Sequence, residues 1–405
     1  MHRINGKMTR FFSSATGKCQ GKKVLHSIPS SYFLFFLIFL RSSFAIAQDS
    51  EPVFTKPPVI SEHQPATTQP KDTSETKGEK NHSLFVFPSI GLSPETDWYF
   101  GGVANLVFPL YETSKRKSVV KTELIYSLRN QTVFDFFWDL FGPDDNWISQ
   151  GKVRWSQFPD FYYGDGAGTP ESNEIHFNSD RITVDVAWAK RLKSQWFLGP
   201  EFRYIRYGNL ANLSDDRALG EVYPELTESS VVGYGLELLF EGRTYLMNPL
   251  PKDQYFKFDL RVNHSEGSTY LKSLIEYRFY RKLWTNAIWA NQAQVQYTGD
   301  GAPFYDQSIY GGDMTARAYY FGRFRDNGLY GYQSEIRSQV YRKWGATVFA
   351  GLGNVFGEEL NTPLWNGGVG IRFLLDEEDR VNLRFDYAIG EYGQQGFYIS
   401  FGEAF

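Results

Sequence analysis

"VNLRFDYAIG", residues 381–390, reads as two interleaved sets. Val381, Leu383, Phe385, Tyr387 and Ile389 hold one parity; Asn382, Arg384, Asp386, Ala388 and Gly390 hold the other. A period of two sends alternate side chains to opposite faces of an extended strand, whereas a helix would scatter both sets around its circumference.

The same pattern recurs outward from this run. In "YFKFDLRVNH" (255–264), Phe256, Phe258, Leu260 and Val262 oppose Lys257, Asp259, Arg261 and Asn263. In "VVGYGLELLFEGR" (231–243), Val232, Tyr234, Leu236, Leu238 and Phe240 oppose Gly233, Gly235, Glu237, Glu241 and Arg243, with Leu239 out of pattern. In "SVVKTELIYSLRN" (118–130), Val120, Thr122, Leu124, Tyr126 and Leu128 oppose Lys121, Glu123, Ser127 and Arg129, with Ile125 the exception.

A soluble sandwich with one wet face would alternate in this way too. Three features favour a membrane barrel instead. The alternating runs are about nine to eleven residues long, the length of a tilted membrane-crossing strand. Their polar faces mix charges of both signs with glycines, as a crowded wet lumen does. Mean hydropathy is low (−0.40) although aromatics reach 18%, which fits a wall where every second residue meets lipid. All ten tryptophans follow residue 47, many of them near expected strand ends, the places of interfacial girdles. In hydrocarbon an open sheet edge leaves unpaired N–H and C=O groups, each costing several kcal/mol, so the sheet has to close. The expected fold is all-β: an antiparallel transmembrane barrel over residues 82–405, of about 16 strands at roughly 20 residues per strand and loop.

Two segments precede the barrel. Residues 1–47 combine Lys18, Lys22 and Lys23, an apolar core "YFLFFLIFL" (32–40) and small residues before Gln48, which predicts a cleaved signal peptide and export. Residues 48–81, with "TKPPVISEHQPATTQPKDTSETKGEK" as their body, are too polar and proline-rich to fold alone and read as a disordered periplasmic tether. The first 47 residues hold seven Lys or Arg and no acid, so the rest carries a net charge near −11, which argues against nucleic acid as a partner. The single cysteine, Cys19, goes with the leader.

Nothing points to catalysis, a metal or a cofactor. His264 and Ser265 are neighbours and point to opposite faces, and the six histidines are scattered. "GDGAG" (164–168) has no helix pattern after it and reads as a loop, not a phosphate cradle.

The run "GGDMTARAYYFGRFRDN" (311–327) does not alternate and carries three arginines. Together with "SEIRSQV" (334–340), "VFAGLGNVFG" (348–357), "GGVGIRFLL" (367–375) and "RFDYAIG" (384–390), it resembles the C-terminal half of BamA/TamA-type barrels, the bacterial surface antigen family of outer-membrane assembly and translocation proteins. "FPSIGLSPETDWYFGG" (87–102) resembles that family's opening strand. The resemblance implies an extracellular loop folded into the lumen, with Arg317, Ala318 and Tyr319 at its tip. It also implies an arginine paired with an acid on the inner wall, for which Asp386 and then Glu335 are the inward-facing candidates. Two departures stand out: the motif glycine is Ala318, and the motif acid of the following inner strand is replaced by Gly351 in "FAGLG" (349–353). The 34 residues of the tether are too few for a POTRA domain, so the resemblance implies a POTRA-less member to which a separate periplasmic partner would have to deliver clients.

The chain ends in "GQQGFYISFGEAF" (393–405), which resembles the signal by which the cell's barrel-assembly machinery recognises outer-membrane barrels: Gln394, Gly396, Ile399, Phe401 and a final Phe405, with Phe397, Ile399, Phe401 and Phe405 on one face. The resemblance implies a bacterial outer-membrane protein embedded in lipid. It would assist insertion or translocation of protein or lipid through a weak seam between "GLSPETDWYFGGVANLVF" (91–108) and "GFYISFGEAF" (396–405). The competing reading is a passive or plugged pore, or a scaffold that moves no client.

Overall fold

The computed structural model describes residues 82–93, 97–214 and 219–405. The signal peptide and tether expected from the sequence fall outside these residues.

Nineteen strands form in chain order. They are β1 (Ser83–Ser93), β2 (Asp97–Phe108), β3 (Ser118–Ser127), β4 (Thr132–Phe141), β5 (Trp147–Gln157), β6 (Asp160–Tyr162), β7 (Ile175–Lys193), β8 (Trp196–Asn212), β9 (Ser229–Glu241) and β10 (Gln254–Ser265). They continue with β11 (Ser268–Trp284), β12 (Ala287–Thr298), β13 (Ser308–Tyr310), β14 (Phe324–Asp326), β15 (Gly328–Tyr341), β16 (Trp344–Phe356), β17 (Leu364–Asp376), β18 (Val381–Gly390) and β19 (Gln395–Phe401). Leaving aside the three-residue β6, β13 and β14, sixteen strands pair antiparallel with their sequence neighbours and come back round to β1. No helix among the described residues is long and apolar enough to cross a membrane; this wall crosses with strands.

The two parities become two environments. Leu124, Leu236, Val348, Val369 and Ile371 stand exposed on the outside, while Glu237, Asp259, Asn263 and Asp386 are buried inside. The two residues out of pattern are also explained. Ile125 packs inward over Gly101, its register partner on β2, where a Cβ would collide with the Ile125 side chain. Leu239 is fully buried on the inner face, in an apolar patch with Phe141, Phe197 and Tyr255. Eight of the ten tryptophans are exposed, in two belts: Trp98, Trp155 and Trp365 near one rim, and Trp188, Trp196, Trp284, Trp289 and Trp344 near the other. An outward apolar band between aromatic girdles is the exterior of a membrane-spanning barrel.

Both ends of the wall leave at the second rim. Most turns there are tight, while the opposite rim carries the long connections 158–174, 213–228 and 299–327. Short turns mark the periplasmic side of such barrels and long loops the extracellular side. The strands vary more than the nine to eleven residues expected: β7 runs 19 residues and β19 only seven. The excess length of β7 and β8 lies at the loop rim. There Phe177, Ile205 and Tyr207 pack with Phe304 and Tyr305 of the 299–327 loop into an apolar cap, so burial in the cap keeps those strands extended beyond the bilayer.

The longest turn at the terminal rim, 242–253, crosses the barrel floor. Asp253 shapes it by accepting hydrogen bonds from the Thr244 and Leu250 N–H groups, both at 2.9 Å. The turn and the end of β9 that leads into it meet three other elements. The Arg116 guanidinium donates to Glu241 O (2.7 Å), Arg380 Nε donates to Asn248 O (3.3 Å), and the Glu403 N–H donates to Met247 O (2.8 Å).

If the outward face meets hydrocarbon, Val369→Arg in the middle of β17 should cost about 2–4 kcal/mol. Reversible urea unfolding from lipid vesicles measures this; an unchanged midpoint would place that face in water.

Candidate functional site

The site is built from the lumen loop and the end of the sheet that closes on itself. β13 and β14 form a short hairpin inside the loop, with Ser308 opposite Asp326, and 311–323 hang from it into the lumen. The tip closes through the Gly312 N–H on Tyr319 O (3.1 Å) and the Ala316 N–H on Gly312 O (3.0 Å).

Arg317 is fully buried at this tip. Its Nη1 donates to Asp386 Oδ2 at 2.7 Å, and its Nη2 donates to Glu335 Oε1. The guanidinium lies 3.5 Å from the centroid of the Phe349 ring, and Asn366 Nδ2 donates to Arg317 O at 2.7 Å. Burial alone would lower the guanidinium's pKa; the Glu335 and Asp386 carboxylates outweigh that and hold it above its ordinary value. The structure thus brings together Arg317 with both acids singled out from the sequence.

These contacts belong to a larger network. Glu335 Oε2 accepts from Arg337 Nε (2.8 Å), and Asp386 Oδ1 accepts from Arg372 Nη1 (2.6 Å). Arg372 Nε donates to Glu403 (2.8 Å), and Arg384 Nη2 donates to Asp313 (3.0 Å). Arg317, Arg337, Arg372 and Arg384 therefore share Asp313, Glu335, Asp386 and Glu403. A fork-shaped, always charged guanidinium suits such multiple sharing in a low-dielectric site.

The departure at Gly351 has a structural counterpart. Asn366 Oδ1 sits where a Cβ on Gly351 would be, so that position has no room for an acid. The carboxylate comes from the neighbouring strand instead, since Glu335 is the register partner of Phe349. Ala318 keeps the backbone a glycine would take, φ 91°, a region an L side chain enters with strain.

Two bonds tie the tip to the end of the sheet. The Ala318 N–H donates to the Tyr398 hydroxyl of β19 at 3.0 Å. The Tyr319 hydroxyl accepts from the Glu391 N–H (2.9 Å), in the turn before β19, and donates to Trp365 O (2.5 Å). The loop's other arginines hold the extracellular side: Arg323 donates to Thr169 O (2.6 Å) and stacks over Tyr163, and Arg325 lies over Tyr162.

Where β19 meets β1 the closure is thin. β1 and β2 are in register from Ser83↔Val107 to Ser93↔Asp97, but β1 and β19 share the single pair Leu92↔Phe397. Below it the strands overlap. Phe87 lies on the inward side of β1, since Val86 and Ile90 are exposed and Ser89 donates to Glu123. Phe401 has the opposite parity to Tyr398, which points into the lumen. Yet the Phe87 and Phe401 rings are 5.2 Å apart, which requires β19 to lie inside β1 at that level.

Two sequence expectations need correction. The seam strand is Ser83–Ser93; the run 91–108 supplies only its last residues and then β2, so Gly101 and Gly102 lie one strand away from the seam. Phe405 does not share the face of Phe397, Ile399 and Phe401. At Gly402 (φ 76°) the chain turns inward, and Phe405 is buried beside Tyr280 and Ala290 with Arg337 over its ring. Of the other end residues, Gln394 precedes β19, and Gly396 and Ile399 lie in it.

Sequence reasoning missed Glu403 and the Arg337 contacts because they depend on the inward turn of the tail. It also missed the acidic group Glu201, Glu237 and Asp259, whose oxygens lie within 4.8 Å of one another. Lys257 at 2.6 Å from Glu237 and Arg261 at 3.3 Å from Glu201 already supply its countercharge.

No protein-family model matches the chain, and no curated protein matches it in sequence. Solved structures do. CdiB from Acinetobacter baumannii matches with a TM-score of 0.53 at 12% identity, over 78% of this chain and 59% of that one. CdiB from Escherichia coli gives 0.51 at 13% identity, over 78% and 62%. BamA from Haemophilus ducreyi lacking POTRA domains 1–3 gives 0.48 at 11% identity, over 80% and 70%. The chain thus shares the CdiB barrel fold while spanning about three fifths of the length of the two CdiB chains.

Arg317→Ala should cost about 3–5 kcal/mol, because it leaves two buried carboxylates without their shared cation. Ala318→Gly should instead stabilise by about 1 kcal/mol through release of the strained φ. Urea midpoints of the two variants in vesicles should move in opposite directions; a shift of both the same way would refute the strain assignment.

Proposed function

We propose that this barrel sits in the bacterial outer membrane and opens sideways at the β1–β19 seam, to insert or translocate protein (or lipid) clients. The observation that carries the reading is the seam itself: one register pair, overlapping strands below it, and a last strand of seven residues. Backbone pairing is what holds a wall together in hydrocarbon, so this junction is where it parts most cheaply. The fold shared with CdiB and the resemblance to BamA/TamA-type barrels support the same reading.

Axial passage is less well served. The 299–327 loop fills the lumen from one rim, and the 242–253 turn crosses the other. The Arg317 network then acts as a brace that positions the loop and, through Tyr398 and Glu391, the last strand. It performs no catalysis. The partners implied are outer-membrane lipid, the assembly machinery that inserts this barrel through its C-terminal stretch, and a separate periplasmic protein that brings clients.

A Leu92→Cys/Phe397→Cys variant tests the seam, since the only native cysteine is Cys19. Reconstituted wild type should speed the folding of a urea-denatured small barrel into vesicles. The oxidised variant should lose that activity, and reduction should restore it. Equal activity in the oxidised and reduced forms would overturn lateral opening. If neither the wild type nor the variant has activity and the wild type conducts ions steadily, the barrel is a pore.

A further inference from the structure

Three tight turns at the terminal rim repeat one constellation. Lys190 and Lys193 stand at the β7–β8 turn, Arg281 and Lys282 at the β11–β12 turn, and Arg342 and Lys343 at the β15–β16 turn. Each pair sits among exposed apolar side chains: Leu192 with Trp188 and Trp196, Leu283 with Trp284 and Trp289, Val340 with Tyr341 and Trp344. Leu192, Leu283 and Val340 are 61%, 43% and 67% exposed. Apolar area left in water three times over is costly, whereas at a bilayer interface acyl chains cover it.

The cations share the face of the aromatic girdle. Lys190 has the parity of Trp188, and Arg281 is the register partner of Trp289, so both point outward. Arg281 lies over the Phe279 ring, 5.7 Å from its centroid, on the side of β11 away from the buried Tyr280. Among the described residues none of the six cations forms an ion pair. The two acids of this arc, Glu241 and Asp253, are buried and bonded to Arg243 and Thr244. The exposed acids of the rim, Glu112, Asp144, Glu377 and Glu378, lie on the other arc, which carries the seam. At the opposite rim the long connections expose Asp165, Glu171, Glu174, Glu221, Glu225 and Glu228. A chain of net charge −4 thus gathers unpaired positive charge along one arc of one rim.

We propose that the arc from β7 to β16 is a binding collar for phospholipids with net negative headgroups in the periplasmic leaflet. Lysine and arginine stems lie along acyl chains while their charged ends reach the phosphate, and the tryptophans hold the headgroup level. A zwitterionic headgroup brings its own ammonium, which the rim cations repel, so net negative lipids are favoured. An acidic protein would use the cations but leave Leu192, Leu283 and Val340 uncovered. The cations also follow the convex outer wall over three turns, which suits several small headgroups better than one protein face. The inference rests on the wall lying in a bilayer and not on seam opening.

The test places the purified barrel in phosphatidylcholine vesicles, with brominated lipids as quenchers of its tryptophan fluorescence. Quenching by brominated phosphatidylcholine reports that the wall lies in lipid. Brominated phosphatidylglycerol at the same mole fraction should quench more, with an affinity about fivefold higher, which is what one cation near a charged surface supplies. The preference should fade at high salt. Lys190→Gln/Lys193→Gln/Lys282→Gln/Lys343→Gln should bring the two headgroups level, while Arg206→Gln, at an exposed site toward the loop rim, should keep the preference. Equal quenching by both headgroups in the wild type, or an undiminished preference in the quadruple variant, would overturn the collar. A preference that survives high salt would do so as well, whether or not the variant folds. Quenching by neither lipid would overturn the collar together with the membrane placement beneath it.

Discussion

The constraint on which everything else rests is that a backbone in hydrocarbon has to find its hydrogen-bond partners within the protein. Fifteen of the sixteen strand junctions meet it with extended registers, and the sixteenth meets it at Leu92↔Phe397 alone. Below that pair the unmet edges are handled by overlap. Because β19 tucks inside β1, Phe401 is covered by Phe85, Phe87 and Val103 and does not face lipid. Apolar packing thus substitutes for the ladder over the lower part of the seam. That substitution is weaker in kind, since packing is non-directional and can slide, while a hydrogen-bonded register cannot move without breaking.

The same end of the sheet explains why so much charge is buried beside it. A single Arg–acid pair taken out of water would barely recover its desolvation cost. Here Glu335 is paired with two guanidinium groups and Asp386 with three, and Glu403 joins the tail to Arg372. Sharing lets each lone pair and each N–H count more than once. It also makes the loop, the walls β15, β17 and β18, and the inward-turned tail one electrostatic unit. Such networks are valuable for fixing a unique arrangement more than for net stability.

How much of this was legible follows from how far apart in sequence the cause lies. The wall was readable because alternation is local: Val369 and Asp386 declare their faces by parity alone. The two misfits, Ile125 and Leu239, could not be placed without knowing what lay opposite, Gly101 in one case and the Phe141 and Phe197 patch in the other. Arg317 with Asp386 and Glu335 came from a family likeness joined to parity, and the structure sets these residues in contact. The seam was misplaced by one strand because the run 91–108 is divided between the end of β1 and the whole of β2, a division that alternation alone does not mark. The inward turn at Gly402 and the floor-crossing turn at 242–253 had no periodic signal, since their contacts run to Met247 and Arg380 from distant parts of the chain.

Taken together, these contacts restrict which motions are independent. The last strand is short, has one register pair on its open side, and carries Tyr398, whose hydroxyl holds the loop tip at Ala318. Its tail is held at Met247 by the floor turn. Opening the seam by moving β19 therefore strains the loop above and the floor below, whereas β1 meets the floor turn through apolar packing, in the cluster that joins Phe85 and Phe87 to Leu246 and Met247. β1 pairs fully with β2 and reaches the rest of the wall through Ser89 to Glu123, Ser83 to Asp376 and the overlapped aromatic faces. If the barrel parts, β1 is the strand that swings more cheaply, because its ties to the floor are sliding apolar packing while β19 and its tail are hydrogen-bonded to the loop tip and the floor turn.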